Sequence, residues 1–157
     1  MRDLVRIKPH HLIDIITALG AGQKEWEPHP YGHAVHTVAG RVLEERDVLL
    51  EMDSGADDIC GPCVHNRGGL CDDKIDTSYR PDAPASKREW NLLIDRRWYG
   101  RLELKDGDRL TAREFVERVR GALGGGISDV YREIPAEMTA KRLADLKAGI
   151  AEYLAGG

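Results

Sequence analysis

Every cysteine and every histidine of this 157-residue chain lies within its first 71 residues. They are Cys60, Cys63 and Cys71, with His10, His11, His29, His33, His36 and His65. Chance would gather nine residues in this way on the order of one time in a thousand, so the pattern predicts a chemical site in the first half. At roughly 100–200 residues per domain the chain is expected to form a single domain over residues 1–157. Its ligand-bearing half would span 1–80 and a helical scaffold half 86–157. Hydrophobic residues make up 41% of the chain, enough for a core that folds without a metal or disulfide. A metal, if bound, would serve a local loop or a chemistry.

The hydrophobic spacing predicts an α+β fold, predominantly helical. It contains about five helices, a small two-stranded β element and a Cys-rich metal-binding loop. Pro9 suits a first helical turn, and Leu12, Ile15, Ile16 and Leu19 form one buried stripe that Gly20-Ala21-Gly22 stops. A second helix is expected over about Tyr31 to Arg46, with Tyr31, Val35, Val38 and Val42 on one face. It would carry His33 and His36 one turn apart, and Gly32 and Gly40 as signs of close packing or a fitted ligand. Leu4 to Ile7 and Asp47 to Met52 read as strands. Residues 53–85 are loop-like, and Arg80 to Ala85 connects the two halves. Ser86-Lys87-Arg88-Glu89 and Thr111-Ala112-Arg113-Glu114 fit the capping box and open two helices. A last helix begins near Thr139.

The net charge of −4 lacks the basic balance of a nucleic-acid binder, and 6% aromatic content argues against stacking on single strands. Residues Met1 to Lys8 alternate charge with apolar side chains, unlike a secretory signal. No apolar run approaches the length needed to span a bilayer. The expected setting is cytoplasmic, where thiols stay reduced and an odd number of cysteines reads as ligands or reactive groups. Oligomeric state leaves no mark in the sequence.

The centre of the candidate site is Asp57-Asp58-Ile59-Cys60-Gly61-Pro62-Cys63, followed by Cys71. Two residues between Cys60 and Cys63 can turn both sulfurs to one point, and Gly68-Gly69 lets the chain fold back to deliver a third. Three thiolates from one loop suit an iron–sulfur cluster or zinc, both of which usually take four protein ligands. The same Cys-Gly-Pro-Cys could serve as a redox dithiol. However, the polar run after it is a poor helix former, and Asp57, Asp58, Asp72 and Asp73 oppose a free thiolate. For the fourth position, His10 and Asp14 share a helix face and His11 sits at its edge. Asp14 could ligate, or could accept a ring proton from His10 and orient it. His65 is the local competitor. His10, His33 and His36 are also candidates for proton transfer.

Taken together, Arg6-Ile7-Lys8-Pro9-His10-His11-Leu12 and Asp57-Asp58-Ile59-Cys60-Gly61-Pro62-Cys63 with Cys71 resemble a prokaryotic domain family described as iron–sulfur-binding. Tyr31-Gly32 and Leu102 to Thr111 are similar to further elements of that family, so the likeness spans most of residues 4–120. The family has no established reaction. Asp14 stands where the family carries a cysteine, and the C-terminal cysteines of many members are missing. The resemblance implies a [4Fe–4S] cluster on Cys60, Cys63 and Cys71. Its fourth iron would lie near His10, His11 and Asp14, or stay open as a Lewis acid for a small-molecule ligand. Zinc on the same sulfurs plus one histidine would instead make a structural or interaction module. A metal-dependent enzyme centred on His10, Asp14, His33 and His36 is the third reading.

Overall fold

A computed structural model describes residues 4–156. Strand β1 (Leu4–Ile7) leads through Lys8 into helix α1 (Pro9–Gly20). A loop then reaches α2 (Val35–Glu44) and β2 (Leu49–Met52). A short hairpin follows, β3 (Asn66–Arg67) and β4 (Leu70–Cys71), then α3 (Lys87–Leu102), β5 (Arg109–Thr111), α4 (Ala112–Gly121) and α5 (Ala136–Ala155). The architecture is α+β and mostly helical. β1 pairs in parallel with β2, Ile7 opposite Met52, and β5 joins β2 antiparallel, Leu50 opposite Leu110. β3 and β4 form a separate two-stranded sheet, and the strands expected at Leu4 to Ile7 and Asp47 to Met52 belong to a three-stranded one. Its third strand, three residues long, is too short to show an alternating pattern.

Helix α1 has no side-chain N-cap, and it buries Leu12, Ile13, Ile15, Ile16 and Leu19. A cap is worth about 1 kcal/mol, while burying one such side chain contributes about 1.5–3 kcal/mol, so the core sets this helix in place. Its main partner is α5, and the two backbones nearly touch. A Cβ on Gly20 would fall 1.8 Å from the Asp145 carbonyl oxygen, and one on Gly149 1.9 Å from that of Ile16. The α3 and α4 starts are marked by their caps. The Ser86 hydroxyl accepts from the Glu89 amide at 3.2 Å, without the reciprocal carboxylate bond, whereas Thr111 and Glu114 complete a full capping box.

Three sequence expectations need correction. The second helix starts at Val35, not Tyr31, because Gly32 takes φ 77° in a turn closed by its amide on the His29 carbonyl. His33 therefore precedes α2 and does not share a helix face with His36. Gly40 marks no close packing, since a Cβ there would meet nothing within 4 Å. The last helix also opens earlier than Thr139, at Ala136, directly after Pro135. No helix among the described residues is long and apolar enough to cross a membrane.

Candidate metal centre

The two sequence motifs are bound to each other, and Asp57 is the knot. One oxygen of its carboxylate, Oδ2, accepts from the Lys8 amide at 2.7 Å and pairs with His11 Nδ1 at 2.7 Å. The other, Oδ1, accepts from the Ile59 and Cys60 amides at 3.1 and 2.9 Å. Next to it, the Arg6 amide donates to Asp58 Oδ2 at 2.9 Å and the Asp58 amide returns to the Arg6 carbonyl at 3.0 Å. The start of α1 is thereby fixed against the turn that carries Cys60. Asp57 is almost wholly buried. Burial raises the pKa of its carboxyl, but the His11 and Lys8 charges and bonds outweigh that and hold it well below the usual range.

The cysteine loop follows from local geometry. The Gly61 amide bonds the Asp57 carbonyl and the Cys63 amide bonds the Cys60 carbonyl, which makes the tight knuckle between the first two cysteines. Gly68 and Gly69, at φ 61° and 91°, supply the left-handed turn of a two-residue hairpin, and that hairpin sets Cys71 opposite Asn66. All three cysteines are free and partly buried, and all three border one cavity of about 410 Å³. His11, His33, His65 and Lys8 border it as well.

His11, Asp57 and Cys60 bring their ligand atoms within 4.8 Å of one another, a grouping that could hold a metal ion. Asp57 already carries four hydrogen bonds, which fills a carboxylate's ordinary acceptor capacity. It serves as a brace, and an imidazole whose Nδ1 is held by a carboxylate is oriented to ligate through Nε2. Burial pushes the Cys60 thiol up to about 11, with Asp57 adding to the rise, against the opposing Lys8 ammonium 3.2 Å from its sulfur. Without a cation that thiol keeps its proton; a metal reverses the preference.

The remaining candidates fall into three places. His10 is buried in α1, and its Nδ1 pairs with Asp95 Oδ1 at 2.7 Å, so Asp95 and not Asp14 orients it. Asp14 is exposed and pairs with Arg142 at 3.0 Å, away from the cysteine cavity. His65 Nδ1 is taken by Asp72 at 2.8 Å, and its ring meets Tyr31 edge-on at 4.4 Å. His33 stacks on His29 at 4.4 Å, and the Nδ1 atoms of His33 and His36 are buried without a partner. His10, Asp14, His33 and His36 do not meet at one point: the first two border a second cavity, His33 borders the cysteine cavity, and His36 borders neither.

Sequence reasoning missed Lys8 and Asp95. Asp95 stands in α3 on the face of Asn91, Ile94 and Trp98, and a carboxylate within a buried stripe was the available signal. Compared with protein-family models, curated proteins and solved structures, the chain matches none of them. Fold and site together define an α+β protein with a thiol, imidazole and carboxylate grouping suited to a cation.

Proposed function

We propose that the protein binds a [4Fe–4S] cluster through Cys60, Cys63 and Cys71, with His11 beside the fourth iron. The reading rests on one observation: the three sulfurs and His11 border a single cavity. Among the described residues, only His11, Asp57 and Cys60 bring three ligand atoms within 4.8 Å of one another. The three sulfurs are therefore spread more widely than the ligands of one tetrahedral ion, and a cluster distributes its thiolates over several irons. The donor set fits such a group, being three partly buried thiols and one carboxylate-oriented imidazole. The Lys8 ammonium against Cys60 offsets the negative charge that thiolates bring into a buried site. The resemblance to an iron–sulfur-binding family points the same way. When bound, a cluster with one iron not held by cysteine supplies a Lewis-acid position for a small molecule. The chain's own residues hold the sulfurs, orient His11 and shield the site.

The runner-up is a single zinc ion, favoured by the close spacing of His11 and Cys60 beside Asp57. Purification without oxygen, with iron, sulfide and zinc measured per chain, decides between them. Matched iron and sulfide with broad visible absorption is the expected result. One zinc in a colourless protein would establish the runner-up, and a protein with neither would remove both. In the Cys71→Ser variant the cluster is expected to be lost.

A further inference from the structure

We propose that a second cavity, behind the His10–His11 pair, binds a small organic carboxylate. This cavity measures about 290 Å³, near the lower end for small-molecule sites. His10 and Asp14 border it and not the cysteine cavity, whereas His11, Lys87 and Asn91 border both. The adjacent imidazoles, 4.4 Å apart, form the partition. The inference goes beyond the metal reading and does not depend on it.

Charge identifies the ligand class. Among the described residues, Arg80, Lys87 and Arg142 border the cavity against one carboxylate, Asp14, in a chain of net charge −4. Arg142 contacts Asp14 at 3.0 Å and lies 4.6 Å over the Tyr131 ring. Arg80 donates to the Asp76 carbonyl at 2.7 Å and lies 5.1 Å over the Trp90 ring. Lys87 stands 3.5 Å from Asp73. A guanidinium has five N–H donors, and these contacts occupy only part of each fork. Both guanidinium groups lie over aromatic rings, and a planar guanidinium can receive a carboxylate through two parallel N–H bonds. Ile75, Ile94 and Ile134 supply apolar wall, which favours an organic body over a bare inorganic anion.

Calorimetric titration of the full chain with benzoate, and separately with inorganic phosphate, tests the site. Saturable benzoate binding is expected, weakened about tenfold by Arg142→Gln and by Arg80→Gln. The second variant is decisive, because among the described residues Arg80 forms no ion pair with a carboxylate whose release could disturb the fold. Absence of saturable benzoate binding, equal affinity for phosphate, or an Arg80→Gln protein that binds as the parent does would overturn the carboxylate site.

Discussion

His10 and His11 are neighbours in sequence, and each gives Nδ1 to a fully enclosed aspartate at 2.7 Å, yet they are displaced in opposite directions. Burial lowers both pKa values. At His10 the charge and bond of Asp95 overcome burial, and the net shift is upward. At His11 they do not; Asp57 pulls up, but His10 and Lys8 add to burial and the net shift is downward. The two aspartates differ in what else they hold. Asp57 is shared among four donors, three of them backbone amides, while Asp95 bonds His10 through one oxygen and leaves Oδ2 buried without a partner. The neighbours differ as well: the Asp14 charge adds to the rise at His10, whereas the His10 charge opposes protonation of His11. Asp57 is a structural knot that also orients the His11 ring, and Asp95 is chiefly a partner for one imidazole.

The largest test of that contrast is Asp57→Ala. It strands two backbone amides inside the turn, the Lys8 amide and the His11 ring at once. A loss of about 3–5 kcal/mol in folding stability is expected, read from urea denaturation of the metal-free protein. Asp95→Asn should cost less, about 1–3 kcal/mol, because one oxygen still accepts from His10 while the new amide has no acceptor. NMR titration of that variant should show the His10 ring pKa falling. Equal losses at the two positions, or a larger one at Asp95, would break the comparison.

The same contrast explains what the sequence could disclose. Helix α1 was legible because Pro9 and a four-residue apolar stripe act locally, and the starts of α3 and α4 were legible in Ser86 and Thr111. The Cys60–Cys63 knuckle and the Gly68-Gly69 return were legible for the same reason, as each bond spans only a few residues. Tyr31 to Ala34 was misread as helix since Tyr31 continues the Val35, Val38, Val42 spacing; one glycine at φ 77° overrides it. Neither Asp57 as a knot nor Asp95 as a partner could be inferred from neighbours. Their bonds to the start of α1 join residues 46 to 85 positions apart and exist only after the tertiary fold forms. Asp14, one helical turn from His10, was the natural local choice, but the fold gives it to Arg142 instead.

The smallest effect is a pH slope, and it separates the two histidines most cleanly. In the metal-free protein His10, with its folded pKa raised, binds more protons than in the unfolded chain. Its contribution to stability is complete below the unfolded value of about 6.5 and is lost as pH rises through the folded value. His11, with its folded pKa lowered, has the opposite sign. Its contribution is complete above about 6.5 and is lost as pH falls through the folded value. In the parent protein the two slopes oppose each other across neutral pH. His11→Gln removes one of them, so stability measured by urea denaturation should then decline as pH rises above neutrality. His10→Gln should give the reverse, a protein that weakens on acidification. The second slope should be the shallower, because removing His10 also removes one of the charges that holds the His11 value down. Two variants with slopes of the same sign would show that the adjacent imidazoles titrate as one unit, with no distinction between their aspartates.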